Sequence, residues 1–216
     1  MSDSYPLQFL SDKDYTLAGL IKSIGKYSIE LHRDPFESLL KSIIYQQLSG
    51  KSANAIFKRF LDYYDGKVPK PDQIIETPDE LFRTKIGLSY KKIEYIKDLS
   101  SRISTKTLDL SLLSALSDEE IIAELIKVKG IGRWTAEMFL IFTLGRQDVM
   151  PLGDLGVKKA IQKLYNLSYM PDSQYISKIS SSWRPYRSIA TWYLWKSLSN
   201  FDNIGKQENK KRLKNH

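Results

Sequence analysis

The sequence of 216 residues contains no cysteine and only two histidines, His32 and His216. Without cysteine, the chain can form no disulfide bond, no cysteine-ligated zinc site and no iron–sulfur cluster. Neither histidine has a second ligand at a spacing that suits a metal ion, so a histidine-based metal site is disfavoured as well. The sequence therefore indicates no metal held by side chains.

Long apolar runs are also missing. No run approaches the roughly 20 residues that a membrane-spanning helix needs. Asp3, Asp12 and Asp14 interrupt the N-terminal segment, where a signal peptide would require a continuous apolar core. The sequence therefore predicts an intracellular protein without membrane contact, and it leaves the choice between nucleus, nucleoid and cytoplasm open.

The alternation of apolar and polar residues that is typical of strands is absent, and apolar residues recur at helical spacing instead. This pattern predicts an all-α fold of about ten helices. The N-terminal segment is predicted to have one broad apolar face, which consists of Tyr15, Leu17, Leu20, Ile21 and Ile24.

Two helix starts carry clear capping signals. Asp34 is a predicted N-cap, because Pro35 follows at the first helical position and Glu37 lies three residues after the aspartate. Ser117 and Glu120 form a second predicted capping box.

The charge of the chain favours an anionic partner. Lysine and arginine number 33 against 25 acidic residues, which gives a net charge of +8. Phosphate backbones bind such an excess with release of counterions. Because many soluble proteins are basic, the charge alone supports nucleic-acid binding and an ordinary basic protein about equally.

The segment VKGIG, between two helical stretches, predicts a helix–hairpin–helix. Gly130 and Gly132 permit a tight turn whose unpaired amides, at the start of a helix, suit a phosphate oxygen. The surrounding residues Lys127, Lys129 and Arg133 add positive charge. Such contacts bind the DNA backbone without reading its sequence. The alternative is an ordinary corner between helices that ends in a glycine cap.

Four segments stand out in chain order: DPFESLLKSIIYQQLSGKSANAIF, VKGIGRWTAEMFLIF, DVMPLGDLGVKKAI and WRPYRSIATWYLWKSL. Together with a weaker match, IGLSYKKIEYI, they resemble the helix–hairpin–helix DNA glycosylases, and most closely the alkylbase branch, the DNA-3-methyladenine glycosylases of the short type. All five lie between residues 34 and 198, in the order expected for that family.

The resemblance implies an organisation into two lobes. A single compact helix–hairpin–helix unit is expected over residues 1–200, with the active-site cleft between its two helical lobes. The central lobe is expected at about residues 35–145, and the second lobe comprises the N-terminal helix with about residues 146–200. The N-terminal β domain that some relatives carry is not expected, because about 33 residues precede the first segment. Residues 201–216 form a basic tail that is predicted to be flexible.

The resemblance implies that Asp154, 22 residues after Gly132, is the catalytic carboxylate. Cleavage of an N-glycosidic bond develops positive charge on the sugar, and a nearby carboxylate stabilises that charge and orients or deprotonates water. Asp154 is also a predicted N-cap of the helix LGVKKAIQKLY, and the two interpretations are compatible.

Trp134 occupies the position where bifunctional members of the superfamily carry a lysine nucleophile. The resemblance therefore implies a monofunctional enzyme that uses water and does not cleave the strand. A flipped cationic base such as 3-methyladenine would gain from the face of an aromatic ring. Trp134, Tyr186, Met138, Gln46 and Tyr45 are the predicted base-pocket residues, with plain core packing as the alternative for the large ones.

The remaining predicted contacts are with the duplex. By resemblance, Gln47 fills the gap that the flipped base leaves, and Ser49, Lys51 and Arg187 contact phosphates. Solvation of a helix end is the alternative for the two glutamines. The resemblance also implies a monovalent cation, Na⁺ or K⁺, on the carbonyls of Val128 and Ile131, and no other cofactor.

These observations favour a monomeric glycosylase that excises alkylated purines such as 3-methyladenine from double-stranded DNA, as the first step of base excision repair. Three alternatives remain open. One is a lesion-sensing DNA-binding protein of the same fold without catalysis, which the presence of Asp154 disfavours. The others are a glycosylase for a different lesion, and a helical protein–protein module with an incidental glycine turn.

Overall fold

The computed structural model describes residues 4–198, and every regular element within them is helical, which confirms the all-α prediction. The helices are, in chain order, α1 Ser4–Lys13, α2 Tyr15–Ile24, α3 Pro35–Tyr45, α4 Gly50–Tyr63, α5 Pro71–Glu76, α6 Asp79–Leu81, α7 Tyr90–Ser104, α8 Asp118–Leu125, α9 Arg133–Phe142, α10 Leu155–Leu164, α11 Ser173–Ser180 and α12, residues 187–198. A π-helical turn, Phe82–Ile86, continues α6. Within residues 4–198, no helix is long and apolar enough to cross a membrane. The tail predicted at residues 201–216 lies outside the described residues.

The chain divides into two compact units. Leu31–Leu144 form the central unit, and the described parts of Met1–Glu30 and Gly145–His216 form the second unit. The central unit contains α3 to α9, and the second unit contains α1, α2 and α10 to α12.

The predicted apolar face at the N-terminus is wrong at Tyr15. The chain turns at Asp14, whose side chain accepts a hydrogen bond from the amide of Leu17 at 2.9 Å and so starts α2 as a separate helix. Tyr15 lies in the first turn of α2 and is 93% exposed. The second carboxylate oxygen of Asp14 accepts hydrogen bonds from the Tyr165 hydroxyl at 2.6 Å and the Trp183 indole at 3.0 Å. Asp14 therefore joins α2 to the rest of the second unit.

The core of the second unit is built on large buried side chains. Trp183 and Tyr193 are fully buried in it. The Tyr193 hydroxyl donates to the carbonyl of Gly25 at 2.6 Å, and burial raises the pKa of Tyr193 to about 12. The aliphatic members of this core include Leu10, Leu17, Val157, Ile161, Ile176, Ile189 and Leu194.

The two capping predictions in the central unit are confirmed. Asp34 accepts hydrogen bonds from the amides of Phe36 and Glu37, at 2.8 and 3.1 Å, and starts α3. Ser117 and Glu120 cap each other's amides at the start of α8. Replacing such a cap by alanine typically costs about 1 kcal/mol. The core behind these helices includes Leu39, Leu40, Ile43, Phe60, Phe82, Ile93, Ile121 and Leu140.

Candidate active site and DNA-binding hairpin

Residues 126–132 join α8 to α9 in the central unit. Gly130 has φ of +82°, a conformation that favours glycine. A β-carbon at Gly130 would also overlap the ring of Tyr95 on α7. Gly132, the N-cap of α9, has an ordinary φ of −96° and open space where its β-carbon would lie. Gly130 is therefore required by backbone conformation and packing, whereas Gly132 leaves the start of α9 uncovered.

The hairpin presents two unpaired amides. Within the described part of the chain, the amides of Gly130 and Gly132 donate to no protein group. They lie beside the N-terminus of α9, where the helix dipole favours negative charge. The neighbouring amide of Lys129 is occupied, because it donates to Oδ2 of Asp98 at 2.9 Å. The glycine amides are thus the groups that suit a phosphate oxygen.

The two lysines of the hairpin form exposed ion pairs. Lys127 lies 2.6 Å from Glu124, and Lys129 lies 2.6 Å from Glu94 on α7. The hydrogen bond from Lys129 to Glu94 raises the pKa of Lys129 above its usual value. Exposed pairs contribute little stability, so exchanging either carboxylate for another anion costs little.

Arg133 joins the two helices of the hairpin. Its guanidinium donates to both carboxylate oxygens of Glu119 on α8, at 2.5 and 3.0 Å, and to Glu137 on α9 at 3.1 Å. The hydrogen bond from Arg133 lowers the pKa of Glu119, and the same bond raises the pKa of Arg133. This fork-like contact fixes Arg133 beside the start of α9.

A cavity of about 380 Å³ lies within the central unit, mainly between one face of α3 and one face of α9. Its volume is within the range of small-molecule sites, about 300–1,000 Å³. Most of the predicted base-pocket residues line it, namely Tyr45, Gln46, Trp134 and Met138, together with the predicted intercalating residue Gln47. The cavity is also lined by residues that the sequence interpretation missed, namely His32, Ser38, Lys41, Ser42, Thr135, Phe139 and Phe142. All of them except His32 lie on α3 or α9, where their helical spacing was the available signal.

Trp134 and Tyr45 contribute two different aromatic groups to the cavity. Trp134 is 52% exposed on the first turn of α9. Tyr45 donates a hydrogen bond to Asn54 at 2.5 Å, and the ammonium of Lys41 lies 5.5 Å from its ring centroid. Desolvation raises the pKa of the Tyr45 phenol above its usual value. The cavity thus combines a half-exposed indole with a hydrogen-bonded phenol.

Asp154, in the second unit, is held at the start of α10. Its Oδ1 accepts hydrogen bonds from the amide of Val157 at 2.6 Å and from the indole of Trp195 at 3.0 Å. The residue is 8% exposed. A β-carbon at Gly156 would lie 3.0 Å from Oδ1 and 3.2 Å from the Trp195 ring, so the small residue leaves room for this contact. The predicted N-cap is confirmed, whereas the sequence interpretation missed the indole donor of Trp195, which lies 41 positions away along the chain.

A family of base-repair proteins matches the part of the chain that contains both the hairpin and Asp154. The model described as "HhH-GPD superfamily base excision DNA repair protein" matches residues 40–185. The chain belongs to this superfamily.

Three relatives are similar to this chain over most of their length. The chain is 39% identical over 194 residues to DNA-3-methyladenine glycosylase 1 of Schizosaccharomyces pombe, covering 87% of this chain and 84% of that protein. A crystal structure of a DNA-3-methyladenine glycosidase from Bacillus halodurans matches with a TM-score of 0.85 and 35% identity, over 94% of this chain and 93% of that one. The S. pombe 3-methyladenine DNA glycosylase in complex with abasic DNA matches with a TM-score of 0.78 and 38% identity, over 88% of this chain and 95% of that one.

Two further predicted residues of this HhH-GPD protein lie in the second unit. The ring of Tyr186 makes edge contacts with Phe9 at 5.4 Å and Tyr5 at 6.3 Å between centroids, so α1 supports it. Arg187, which is predicted to contact phosphate, has a side chain only 17% exposed. Its guanidinium binds the side chain of Asp148 at 2.6 Å and the Asp148 carbonyl at 2.6 Å. Arg187 therefore holds the loop that leads to Asp154, and its contact with phosphate remains a prediction.

The remaining predicted contacts have the following places. Ser49 is the N-cap of α4 and accepts from the amide of Ser52 at 3.4 Å, and Lys51 is exposed in the first turn. Val128 and Ile131 bury their side chains, and the Val128 carbonyl also accepts from the Ile131 amide at 3.1 Å. Backbone carbonyls are suitable ligands for Na⁺ or K⁺, and the cation remains a prediction. Among residues 4–198, no group of His, Cys, Asp and Glu side chains is arranged to hold a metal ion.

Proposed function

We propose that the protein is a monofunctional DNA glycosylase that removes alkylated purines such as 3-methyladenine from double-stranded DNA, as a monomer. The observation that carries the proposal is the carboxylate of Asp154, held by Val157 and Trp195 in a chain that also has a glycine hairpin with open amides. The names of the relatives support the substrate class. The protein would act wherever the DNA lies, in a nucleus or a nucleoid.

In the proposed reaction, the hairpin binds backbone phosphates through the amides of Gly130 and Gly132. Gln47 enters the duplex as the damaged nucleotide leaves the stack. The bond between C1′ and the base nitrogen breaks, and the base departs with the bonding electrons. The carboxylate of Asp154 stabilises the positive charge on the sugar. Water then adds to C1′ and loses one proton, which leaves an abasic site and a free base.

An alkylated purine with a positive charge needs little acid catalysis, because it is already a good leaving group. Selection then depends on shape and on contacts with aromatic faces. A cation over an indole face gains about 0.5–2 kcal/mol, and Trp134 offers such a face in the cavity of the central unit. Trp134 also stands in the place of a lysine nucleophile, which supports hydrolysis without strand cleavage.

The proposal is tested with methylated duplex DNA and a panel of duplexes that each contain one lesion. Released bases are identified by mass, and the strands are analysed before and after alkali treatment. We expect free 3-methyladenine, with strand breaks only after alkali. Tight binding to the lesion duplexes without any released base would instead favour the non-catalytic lesion-sensing protein. Breaks without alkali, with a borohydride-trapped adduct, would contradict the monofunctional mechanism.

A further inference from the structure

The α3–α4 loop, residues 46–49, carries the predicted intercalating residue Gln47, and its own hydrogen bonds are long. The amide of Gln46 lies 3.4 Å from the Ile43 carbonyl, and the amide of Leu48 lies 3.3 Å from the Tyr45 carbonyl. A helix C-terminus leaves carbonyls without intrahelical partners. The conformation of this loop therefore depends on groups from elsewhere in the central unit.

Lys92, on α7, supplies the missing donors. Its ammonium donates to the carbonyl of Ile44 at 2.6 Å and to the carbonyl of Gln46 at 2.8 Å. The first bond caps the end of α3, where the helix dipole favours a positive charge. The second bond fixes the peptide directly before Gln47.

Gln47 itself has a backbone conformation that needs support. Its φ of +56° lies in the left-handed region, which residues with a β-carbon rarely adopt. The side chain of Gln46 donates to the carbonyl of Gly130 at 2.7 Å and so ties the loop to the hairpin. Gln47 is thus presented between two anchors, one on α7 and one on the hairpin.

Helix α7 supports the hairpin as well as the loop. The ring of Tyr95 fills the space where Gly130 lacks a side chain, and Asp98 accepts a hydrogen bond from the amide of Lys129. Lys92 lies one turn before Tyr95 on the same helix. Burial lowers the pKa of Lys92, as expected for an ammonium that has given up water for protein carbonyls.

We propose that Lys92 is a positioning residue, which holds the α3–α4 loop in the conformation from which Gln47 enters the duplex. The inference rests on the proposed function, because it assumes that a base is flipped. Lys92 acts through the backbone of Gln46 and needs no contact with DNA. Loss of its two hydrogen bonds would let Gln47 leave its left-handed conformation, while the amides of the hairpin would still bind phosphates.

The test variant is Lys92→Met, which removes the ammonium. The first control, Lys91→Met, removes the same charge from the neighbouring exposed residue on α7. The second control, Lys92→Arg, keeps the positive charge and the hydrogen-bond donors. The fluorescence of 2-aminopurine placed next to the lesion measures base flipping. Single-turnover rates measure excision, and the affinity for undamaged duplex measures phosphate binding. Circular dichroism establishes that each variant is folded at the assay temperature. If Lys92→Met is not folded there, Lys92→Gln, which keeps an amide donor, replaces it.

For Lys92→Met, or for Lys92→Gln in its place, we expect flipping and excision to fall by about tenfold or more, the size of effect that a misplaced group produces. Affinity for undamaged duplex should stay within about twofold, since phosphate binding uses other groups. Lys91→Met should match the wild type, and Lys92→Arg should recover part of the loss. Wild-type flipping in the Lys92 variant, or an equal loss of affinity for undamaged duplex, would overturn the proposal. If the wild type excises no base at all, the proposed function fails, but the 2-aminopurine signal still tests Lys92.

Discussion

Asp154 is the N-cap of α10 and also the proposed catalytic carboxylate. Its Oδ1 caps α10 by accepting a hydrogen bond from the amide of Val157, and it accepts a second one from the indole of Trp195. Both contacts fix the direction of the carboxylate, and a fixed carboxylate stabilises a developing cation without reorganising during the reaction. The N-cap interpretation and the catalytic interpretation therefore do not compete at this residue.

Asp154→Asn separates these two functions. The amide oxygen of asparagine can still accept from Val157 and Trp195, so the free energy of unfolding should change by less than about 1 kcal/mol. The negative charge is lost, and single-turnover excision should fall by about 10²-fold or more. Affinity for lesion DNA should persist, as measured by fluorescence anisotropy. An Asn variant that excises at the wild-type rate would remove Asp154 from the mechanism.

Trp195→Phe tests the indole donor that the sequence interpretation missed. A hydrogen bond to a charged group contributes about 1.5–3 kcal/mol. We therefore expect the single-turnover rate to fall by about tenfold or more, with DNA affinity nearly unchanged. Trp192→Phe is the matched control, because it makes the same change one turn earlier on α12, in a ring that packs against Tyr27 and Tyr193. Equal rates in the two variants would show that Trp195 only packs.

At the scale of elements, the hairpin between α8 and α9 depends on long-range support as well as on its glycines. Its left-handed turn is local, but Tyr95 of α7 lies against Gly130, and the side chain of Gln46 binds the Gly130 carbonyl. The hairpin and the α3–α4 loop therefore share α7 as a common support, since Lys92 of the same helix holds that loop.

The two glycines of the hairpin should respond differently to alanine. Gly130→Ala combines a positive φ with an overlap against Tyr95, and we expect it to destabilise the protein by about 1–3 kcal/mol or more. Gly132→Ala has an ordinary φ and open space, so its stability should stay within about 0.5 kcal/mol of the wild type, while its methyl group weakens phosphate binding. Urea unfolding measures the first effect, and affinity for undamaged duplex measures the second. Similar stability losses in both variants would contradict this assignment.

At the scale of the whole molecule, the chain combines two separately packed units with a net charge of +8. The cations of the hairpin are paired with carboxylates in the free protein, namely with Glu94, Glu119, Glu124 and Glu137. In the proposed function, DNA phosphates replace these carboxylates and also release counterions, and both effects make the affinity depend on salt.

The salt dependence gives a test at this scale. The slope of log affinity against log salt is about −0.9 for each phosphate neutralised. Lys129→Gln should therefore reduce the magnitude of the slope for undamaged duplex by about 1. Lys58→Gln removes a cation of α4 that is also exposed and also pairs with a carboxylate, that of Asp62, and it should leave the slope unchanged. A slope that responds equally to both substitutions would show that overall charge, and not the hairpin, determines phosphate binding.

The sequence by itself determined the features that depend on neighbours along the chain. The caps at Asp34, Ser117 and Asp154 and the glycine turn were predictable, because each involves residues within a few positions of one another. The break at Asp14 shows the limit of this reasoning, since the spacing of apolar residues placed Tyr15 on a buried face and the structure exposes it.

Only the tertiary structure decided the contacts that hold the candidate site. The hydrogen bond between Trp195 and Asp154 joins residues that are 41 positions apart in the sequence. The bonds from Lys92 to Gln46 and from Gln46 to Gly130 join residues that are 46 and 84 positions apart. These bonds leave no local pattern, because a donor and an acceptor far apart in the chain meet only when the helices that carry them pack. The sequence specified the chemical groups, and the packing of the helices determined which of them are fixed.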